Sequence, residues 1–292
     1  MPLQDFLQFT IAGLAAGAIY ALAAIGFVLL WQTSATINFG QGEFVTLPAF
    51  AIVFFFSVLG LPFPLAVLLA LGLSAALLGF GVKRLLIEPL LDRGVLPIVI
   101  ATLALGLLIR YSIQQFWTPL ALPFPALFPR EPLRLAAVAV SAEDLGNLGA
   151  AAVAIAGLHL FLQRTRTGAA MQAVAQNRGL AATLGIDVSR MITATFVLNA
   201  VLTGIAALLI APVYLVKYDI GIGLGLKAFY AAIIGGFNRI AGALIGGLVV
   251  GLAETYAAAY VSAQYRDAFA LALLIAVLLW KPEGLVGLRE EG

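Results

Sequence analysis

The sequence contains no cysteine and a single histidine, His159. A chain without thiols has neither disulfides nor a thiolate nucleophile, and one imidazole is too few for a site built from histidine and cysteine ligands. Thiol catalysis and zinc-type metal sites are therefore excluded, and no cofactor is expected. The redox compartment stays open.

Charge is also scarce. Only 10% of the 292 residues are charged and 63% are hydrophobic, against about 25% and roughly 45–50% in an ordinary soluble domain. The formal net charge of +2 is too small for a nucleic-acid-binding protein. Because no polar block interrupts the hydrophobic stretches for long, we expect a single transmembrane domain over residues 1–292.

The lengths of the hydrophobic stretches predict an all-α integral membrane protein, since one crossing needs about 20 residues. We expect about eight or nine transmembrane helices, including broken or half-length segments. The predicted spans are residues 6–31, 44–82 with a break at 60–64, 95–117, 148–163, 191–216, 228–238, 240–264 and 268–280. The stretch 228–238 contains Gly235 and Gly236 and predicts either a half-helix or re-entrant segment or a full crossing.

Basic residues cluster in two loops and predict the orientation. They are Lys83, Arg84 and Arg93 in one loop and Arg164, Arg166, Arg178 and Arg190 in the other. The positive-inside rule places both loops in the cytoplasm. The proline-rich stretch 118–147 between the intervening spans is then an external loop, and the C-terminus lies inside.

A polar segment interrupts the first apolar region at residues 38–43. Asn38, Gln41 and Glu43 lie there with two glycines, between helices that otherwise contain no charge. A backbone break at membrane depth is stable only if it is buried in protein or lines water. The segment therefore indicates the wall of a cavity, although a surface connection with Glu43 at a helix N-terminus fits the pattern equally.

Glu254 lies in a stretch of apolar residues near the end of the chain. An ionisable residue there indicates a functional site, with Lys227 and Arg266 as possible partners, or else a structural hydrogen bond or an interfacial position. We take Asn38, Gln41, Glu43, Lys227 and Glu254 as candidates for a translocation pathway.

The loop 164–190 contains a helix-forming run and then a short apolar turn that ends at Gly185. This pattern predicts a small amphipathic helix at the cytoplasmic surface. Such a helix either docks in a groove of another protein or lies on the membrane face.

Several motifs, taken together, resemble the permeases of branched-chain amino acid ABC importers. They lie at residues 17–22, 37–43, 164–187, 225–243 and 281–285, and they follow the order of the family over nearly the whole chain. Gln41 stands where that family commonly has histidine, and Ala241 replaces its usual proline. The turn at 181–186 lacks the acid that often opens the family's coupling motif.

The resemblance implies the ABC importer permease fold, in the shorter of two permease types, in a bacterial or archaeal inner membrane with lipid around it. It implies a channel-forming subunit, not an enzyme, that takes up leucine, isoleucine, valine or related hydrophobic amino acids or amides. The implied partners are a second permease subunit, two ATPase subunits and a soluble substrate-binding protein. The residues implied to couple the chain to the ATPase are Arg178, Ala181, Ala182, Leu184, Gly185 and Ile186.

None of the four lysines is followed by serine or threonine, as a P-loop requires. We therefore expect ATP to be hydrolysed by a separate subunit. One alternative is an ion-coupled secondary transporter in which Glu43 and Glu254 bind a proton or cation. An intramembrane enzyme is disfavoured, since the predicted spans contain no paired aspartates and no serine–histidine or metal-binding pattern.

Overall fold

The computed structural model describes residues 3–129, 131, 133–135 and 138–287. Over these residues the chain is mostly helical, with one antiparallel pair of short strands, β1 (Leu133–Leu135) and β2 (Val138–Val140). The helices are α1 (Leu3–Ser34), α2 (Glu43–Val53), α3 (Phe63–Ser74), α4 (Val95–Phe116), α5 (Ala142–Arg164), α6 (Arg166–Gln176), α7 (Arg178–Thr183), α8 (Val188–Tyr214), α9 (Ile220–Gly235), α10 (Ile240–Tyr260) and α11 (Arg266–Trp280).

Short turns of 3-10 or π-helix lengthen three of these helices. Phe39–Gly42 leads into α2, and Ala263–Tyr265 leads into α11. Beyond the α-helical residues, α2 continues through Phe54–Val58, and α3 through Ala75–Gly81, Lys83–Ile87 and Glu88–Arg93. The predicted break between α2 and α3 is confirmed at Gly60, which has a φ of +66°.

Eight helical segments of the described chain are long and apolar enough to cross a membrane. The shorter helix α9 has 16 residues, about 24 Å at a rise of 1.5 Å per residue, against a hydrocarbon core of about 30 Å. This confirms the all-α membrane fold and the predicted count of eight or nine segments, one of them short. Helix α9 starts earlier than predicted, because Gly221, Gly223 and Gly225 resemble a loop in sequence.

The start of α5 corrects the predicted external loop. The sequence predicts a loop up to residue 147, but α5 begins at Ala142. Ser141 Oγ accepts a hydrogen bond from the Asp144 amide at 3.3 Å. Glu143 and Asp144 lie in the first turn, where the helix dipole favours acids. Polar residues that indicated a loop are thus the N-terminal turn of a helix.

The described residues fall into two compact units. Unit 1 takes its residues from Met1–Val28, Pro125–Val153 and Leu226–Gly292, and unit 2 from Leu29–Phe124 and Ala154–Gly225. Each unit combines segments that are distant in sequence. A single domain over the whole chain stays a prediction.

Glycines bring α1 and α10 into close contact in unit 1. A Cβ atom added at Gly17 would lie 2.7 Å from Gly247 O, and one added at Gly251 would lie 2.4 Å from Gly17 N. Helices in lipid associate through such close backbone packing, since burial of apolar surface gains little there. These glycines therefore permit the close packing of α1 against α10.

Helix α8 is the centre of unit 2, where it packs against α2 and α3. Phe44, Leu78 and Phe196 are buried together in this core. The packing positions Asn199, one turn beyond Phe196, beside the start of α2.

Candidate functional site

The chain is not helical between α1 and the turn that leads into α2. Asn38 caps that turn, because its Oδ1 accepts a hydrogen bond from the Gly40 amide at 3.0 Å. The Phe39 amide donates to Thr102 Oγ1 at 3.2 Å, and Thr102 follows Val95, the first residue of α4, by seven positions. The break therefore lies about 10 Å inside the span of α4. The break thus lies beside a helix that is long and apolar enough to cross a membrane, which favours a cavity wall over a surface connection.

Gln41 and Asn199 form a reciprocal pair of amides at this break. Gln41 Nε2 donates to Asn199 Oδ1 at 2.7 Å, and Asn199 Nδ2 donates to Gln41 Oε1 at 3.0 Å. Both residues are buried. Each amide supplies the donor and the acceptor that the other needs. The pair fixes the break to α8.

Glu43, the first residue of α2, forms an ion pair with Arg110 of α4. Arg110 Nε and Nη2 both donate to Glu43 Oε1, at 3.0 and 2.7 Å. The glutamate side chain is 1% exposed and the arginine side chain 21% exposed. Glu43 Oε2 has no hydrogen-bond partner among the described residues. The pair stabilises a buried carboxylate and extends toward the surface of the chain through Arg110.

A second polar cluster lies in unit 1 around Glu254, which is fully buried. Its Oε2 accepts hydrogen bonds from Tyr20 Oη at 2.9 Å, Lys227 Nζ at 3.1 Å and Arg266 Nε at 3.1 Å. Lys227 Nζ also lies 3.1 Å from Asp267 Oδ1. The hypothesis that Lys227 and Arg266 pair with Glu254 is confirmed. The five residues form a network that we call the Glu254 cluster.

Sequence reasoning missed four members of these networks, namely Tyr20, Arg110, Asn199 and Asp267. Arg110 is the one charged residue of α4, so the rule that identified Glu254 would have identified it too. A charge in the last part of a span is also expected at the headgroup region, however, so its position alone does not indicate a buried partner. Asn199 gave a weaker signal, since single amides are common in membrane helices.

The connection between α5 and α8, residues 165–187, forms two short capped helices that we call the α6–α7 segment. Thr165 caps α6 and Asn177 caps α7, each accepting a backbone N–H at 2.9 Å. After α7 the chain turns at Gly185, which has a φ of +81° and donates to Ala182 O at 3.0 Å. The predicted glycine stop is confirmed.

The α6–α7 segment is attached closely to the end of α5. Gln172 Nε2 donates to Leu162 O at 2.6 Å. A Cβ atom added at Gly168 would lie 2.3 Å from Phe161 O, so only glycine permits this approach. Met171 and Val174 are buried, and α6 also packs against α8. A displacement of the segment would therefore move both flanking spans.

The six predicted coupling residues differ in exposure. Ala182, Leu184 and Gly185 are exposed, Arg178 and Ile186 are half-buried, and Ala181 is buried within the segment. Leu180, which is not among these six residues, is 63% exposed, and Leu184 is 73% exposed. Four positions apart, these leucines form an exposed apolar pair outside the spans.

Burial lowers the pKa of Arg178, but a guanidinium stays protonated in proteins.

The residues after α11 fold back onto the end of α9. The Leu285 amide donates to Ile234 O at 2.7 Å and the Val286 amide donates to Gly235 O at 3.0 Å. These bonds satisfy carbonyls that the helix end leaves without partners. Gly236 and Gly284 both have positive φ, and a Cβ atom added at Gly284 would lie 2.5 Å from Gly236 N. Two motifs far apart in sequence thus form one contact.

Comparison with known proteins identifies related permeases. A family model described as "Branched-chain amino acid transport system / permease component" matches residues 9–278. BraD, a high-affinity branched-chain amino acid transport system permease protein of Pseudomonas aeruginosa, is 31% identical over 300 residues, covering 99% of this chain and 98% of BraD. LivH of Escherichia coli K12 is 30% identical over 299 residues, covering 98% and 96%.

A more distant relative and one solved structure agree with these matches. The probable branched-chain amino acid transport permease protein LivH of Methanocaldococcus jannaschii is 27% identical, covering 91% of this chain and 88% of the relative. The solved structure of PsaBC from Streptococcus pneumoniae in complex with Fab has a TM-score of 0.50 and 15% identity, covering 95% of this chain and 92% of that chain. At that identity the likeness concerns the fold alone.

Proposed function

We propose, from the premise that this chain belongs to the family of permease components of branched-chain amino acid transport systems, that it is the channel-forming subunit of an ABC importer. The substrates we propose are leucine, isoleucine and valine or closely related hydrophobic amino acids. The observation that carries the proposal is the match over nearly the full length of both this chain and BraD. The chain is a multi-pass membrane protein, and we assign it no catalytic role.

The complete importer would contain a second permease subunit, two ATPase subunits and a soluble binding protein that delivers the amino acid. The α6–α7 segment supports an ATPase contact, because Leu180 and Leu184 present apolar surface outside the membrane spans. Exposed apolar side chains in such a place are typical of a docking surface.

Movement of this segment would reach the polar break of unit 2 through α8. Helix α8 begins at Val188, directly after the segment, and Asn199 lies eleven residues further on, about 16 Å along the helix. Because Asn199 is paired with Gln41, a shift of α8 changes the position of the break and of Glu43 beside it. We infer that ATP-driven closure of the ATPase subunits switches the pathway between outward-open and inward-open states in this way.

The pathway would contain the candidates Asn38, Gln41, Glu43, Lys227 and Glu254. In this conformation Asn38 and Gln41 are bonded to protein groups, so they support the break. Ion-coupled secondary transport is not supported, because the relatives are permease components of amino acid transport systems. Glu43 and Glu254, its proposed ion sites, are each paired with cations.

Purification of a tagged chain expressed with its partner subunits tests the proposal. We expect ATPase subunits to co-purify in mild detergent, and the reconstituted complex to take up leucine only with ATP and the binding protein. In a matched preparation the P-loop lysine of the ATPase is substituted. This ATPase variant should still bind the permease, but the complex should transport no leucine. A chain that captures no ATPase and transports leucine on an ion gradient alone would refute the proposal.

A further inference from the structure

The Glu254 cluster has an excess of positive charge in its buried part. Lys227 and Arg266, 13% and 28% exposed, surround the fully buried carboxylate of Glu254. These three side chains carry a formal charge of +1. Among the ion pairs of the described residues, the further acid at this cluster is Asp267, whose side chain is 84% exposed and contacts Lys227 at 3.1 Å.

Asp267 is a replaceable partner of Lys227. An ion pair whose carboxylate is largely exposed contributes little stability, since water screens it and holding the side chains in place costs entropy. Another carboxylate could take its position at Lys227 at little net cost. The exposure of Asp267 also shows that this side of the cluster is open at the start of α11.

The Glu254 cluster also contains a hydrogen-bond acceptor without a donor in the described part of the chain, Glu254 Oε1. All three donors to Glu254 bind Oε2, whereas the buried Oε1 has no hydrogen-bond partner among the described residues. A buried carboxylate oxygen without a donor is costly, and an ammonium group would satisfy it. The Lys227 ammonium, which contacts Glu254 Oε2, and the acceptor Glu254 Oε1 therefore lie close to each other.

A free α-amino acid carries the complementary pair of groups, because its carboxylate and its ammonium are both bonded to the same carbon atom. We propose, building on the transport function above, that the Glu254 cluster recognises the main chain of the transported amino acid. Lys227 binds the α-carboxylate in exchange for Asp267, and Glu254 Oε1 accepts a hydrogen bond from the α-ammonium. Asp267 is then a carboxylate within the chain that competes with the substrate.

Equilibrium binding of leucine to the purified permease–ATPase complex, without the binding protein, tests this exchange. Asp267→Asn removes the competitor and should tighten leucine binding by up to about fivefold, the full contribution of an exposed pair. Lys227→Gln should weaken it by at least about tenfold, the loss of one hydrogen bond to a charged group. An unchanged or weaker affinity of Asp267→Asn for leucine overturns the proposal. Because the Asp267 side chain is largely exposed, this substitution should leave the fold intact.

Two analogues separate the groups that are recognised. Binding of 4-methylpentanoate, which is leucine without its ammonium, should also tighten in Asp267→Asn, whereas binding of 3-methylbutylamine, which lacks the carboxylate, should not. An equal gain for the amine overturns the carboxylate exchange. The matched control is Glu88→Gln, which removes a 46% exposed carboxylate from the nearly buried Lys83 and should leave leucine affinity unchanged. A wild-type complex that transports no leucine would contradict the proposed function itself.

Discussion

The ion pair of Glu43 and Arg110 joins a carboxylate that is almost fully buried to a guanidinium that is partly exposed. Removal of one partner leaves a buried charge without compensation, at a cost of about 3–5 kcal/mol, whereas removal of both charges avoids that cost. We therefore expect Arg110→Gln to destabilise the chain strongly, and the Glu43→Gln, Arg110→Gln double variant to recover most of the loss. The thermal midpoint of the purified chain in detergent measures both effects.

A double variant as unstable as the single one would contradict this account of the pair. The uptake assay adds a second result. If the recovered double variant is stable but transports poorly, the charges serve transport as well as folding. If it transports normally, the pair is structural.

Single residues were predictable where their chemistry alone requires a partner. Glu254 stands in an apolar stretch, and few cations occur in the last third of the chain, so Lys227 and Arg266 could be identified from sequence. Glu43 and Arg110 are 67 positions apart, and nothing local connects them. Asn199 and Gln41 required the packing of α8 against α2, which no pattern in either segment predicts.

At the scale of elements, the α6–α7 segment offers a test of coupling. Leu180→Asp and Leu184→Asp change exposed side chains, so folding should be preserved. An ATPase contact that buries one leucine gains about 1.5–3 kcal/mol, so each substitution should weaken ATPase capture tenfold or more and reduce leucine uptake accordingly. The control Gln176→Asp adds the same charge at an exposed residue of α6 outside the leucine pair. Capture that is unchanged in both leucine variants would exclude this surface.

The contact between the end of α9 and the residues after α11 gives a second test. Gly284→Ala places a Cβ atom at positive φ and 2.5 Å from Gly236 N. Gly60→Ala also meets a positive φ, but nothing lies within 4 Å of the added atom. We expect about 1–2 kcal/mol of destabilisation from backbone conformation at Gly60 and clearly more at Gly284. Equal thermal midpoints for the two variants would argue against the contact.

The spans were predictable because a membrane sets their length and excludes charge, and both constraints are visible in sequence. Three features were not. The first turn of α5 is polar, the first turns of α9 are rich in glycine, and the 3-10 turn before α2 is defined by Thr102 of a distant helix. Each is set by capping or tertiary contact, which a hydrophobicity pattern does not contain.

At the scale of the whole molecule, the number of crossings depends on α9. Its start is adjacent to the proline-rich connection, because Val216 and Leu122 exchange backbone hydrogen bonds at 3.0 and 2.9 Å. Its end contacts the residues after α11. If α9 crosses the membrane, the C-terminal residues lie on the side opposite the proline-rich connection, which agrees with the positive-inside rule.

The absence of cysteine allows a clean test of this arrangement, since a single introduced cysteine is then the sole target of a membrane-impermeant maleimide. We expect Ala121→Cys, in the proline-rich connection, and Ala263→Cys, between α10 and α11, to be labelled from outside intact cells. Thr183→Cys, in the α6–α7 segment, should react only in inverted vesicles, and the unmodified chain is the blank. If α9 entered and left on one side, α10 would end in the cytoplasm, and Ala121→Cys and Ala263→Cys would be labelled from opposite sides. Labelling of Ala121→Cys and Ala263→Cys from the same side would therefore show that α9 crosses the membrane. With the eight longer segments, this gives nine crossings.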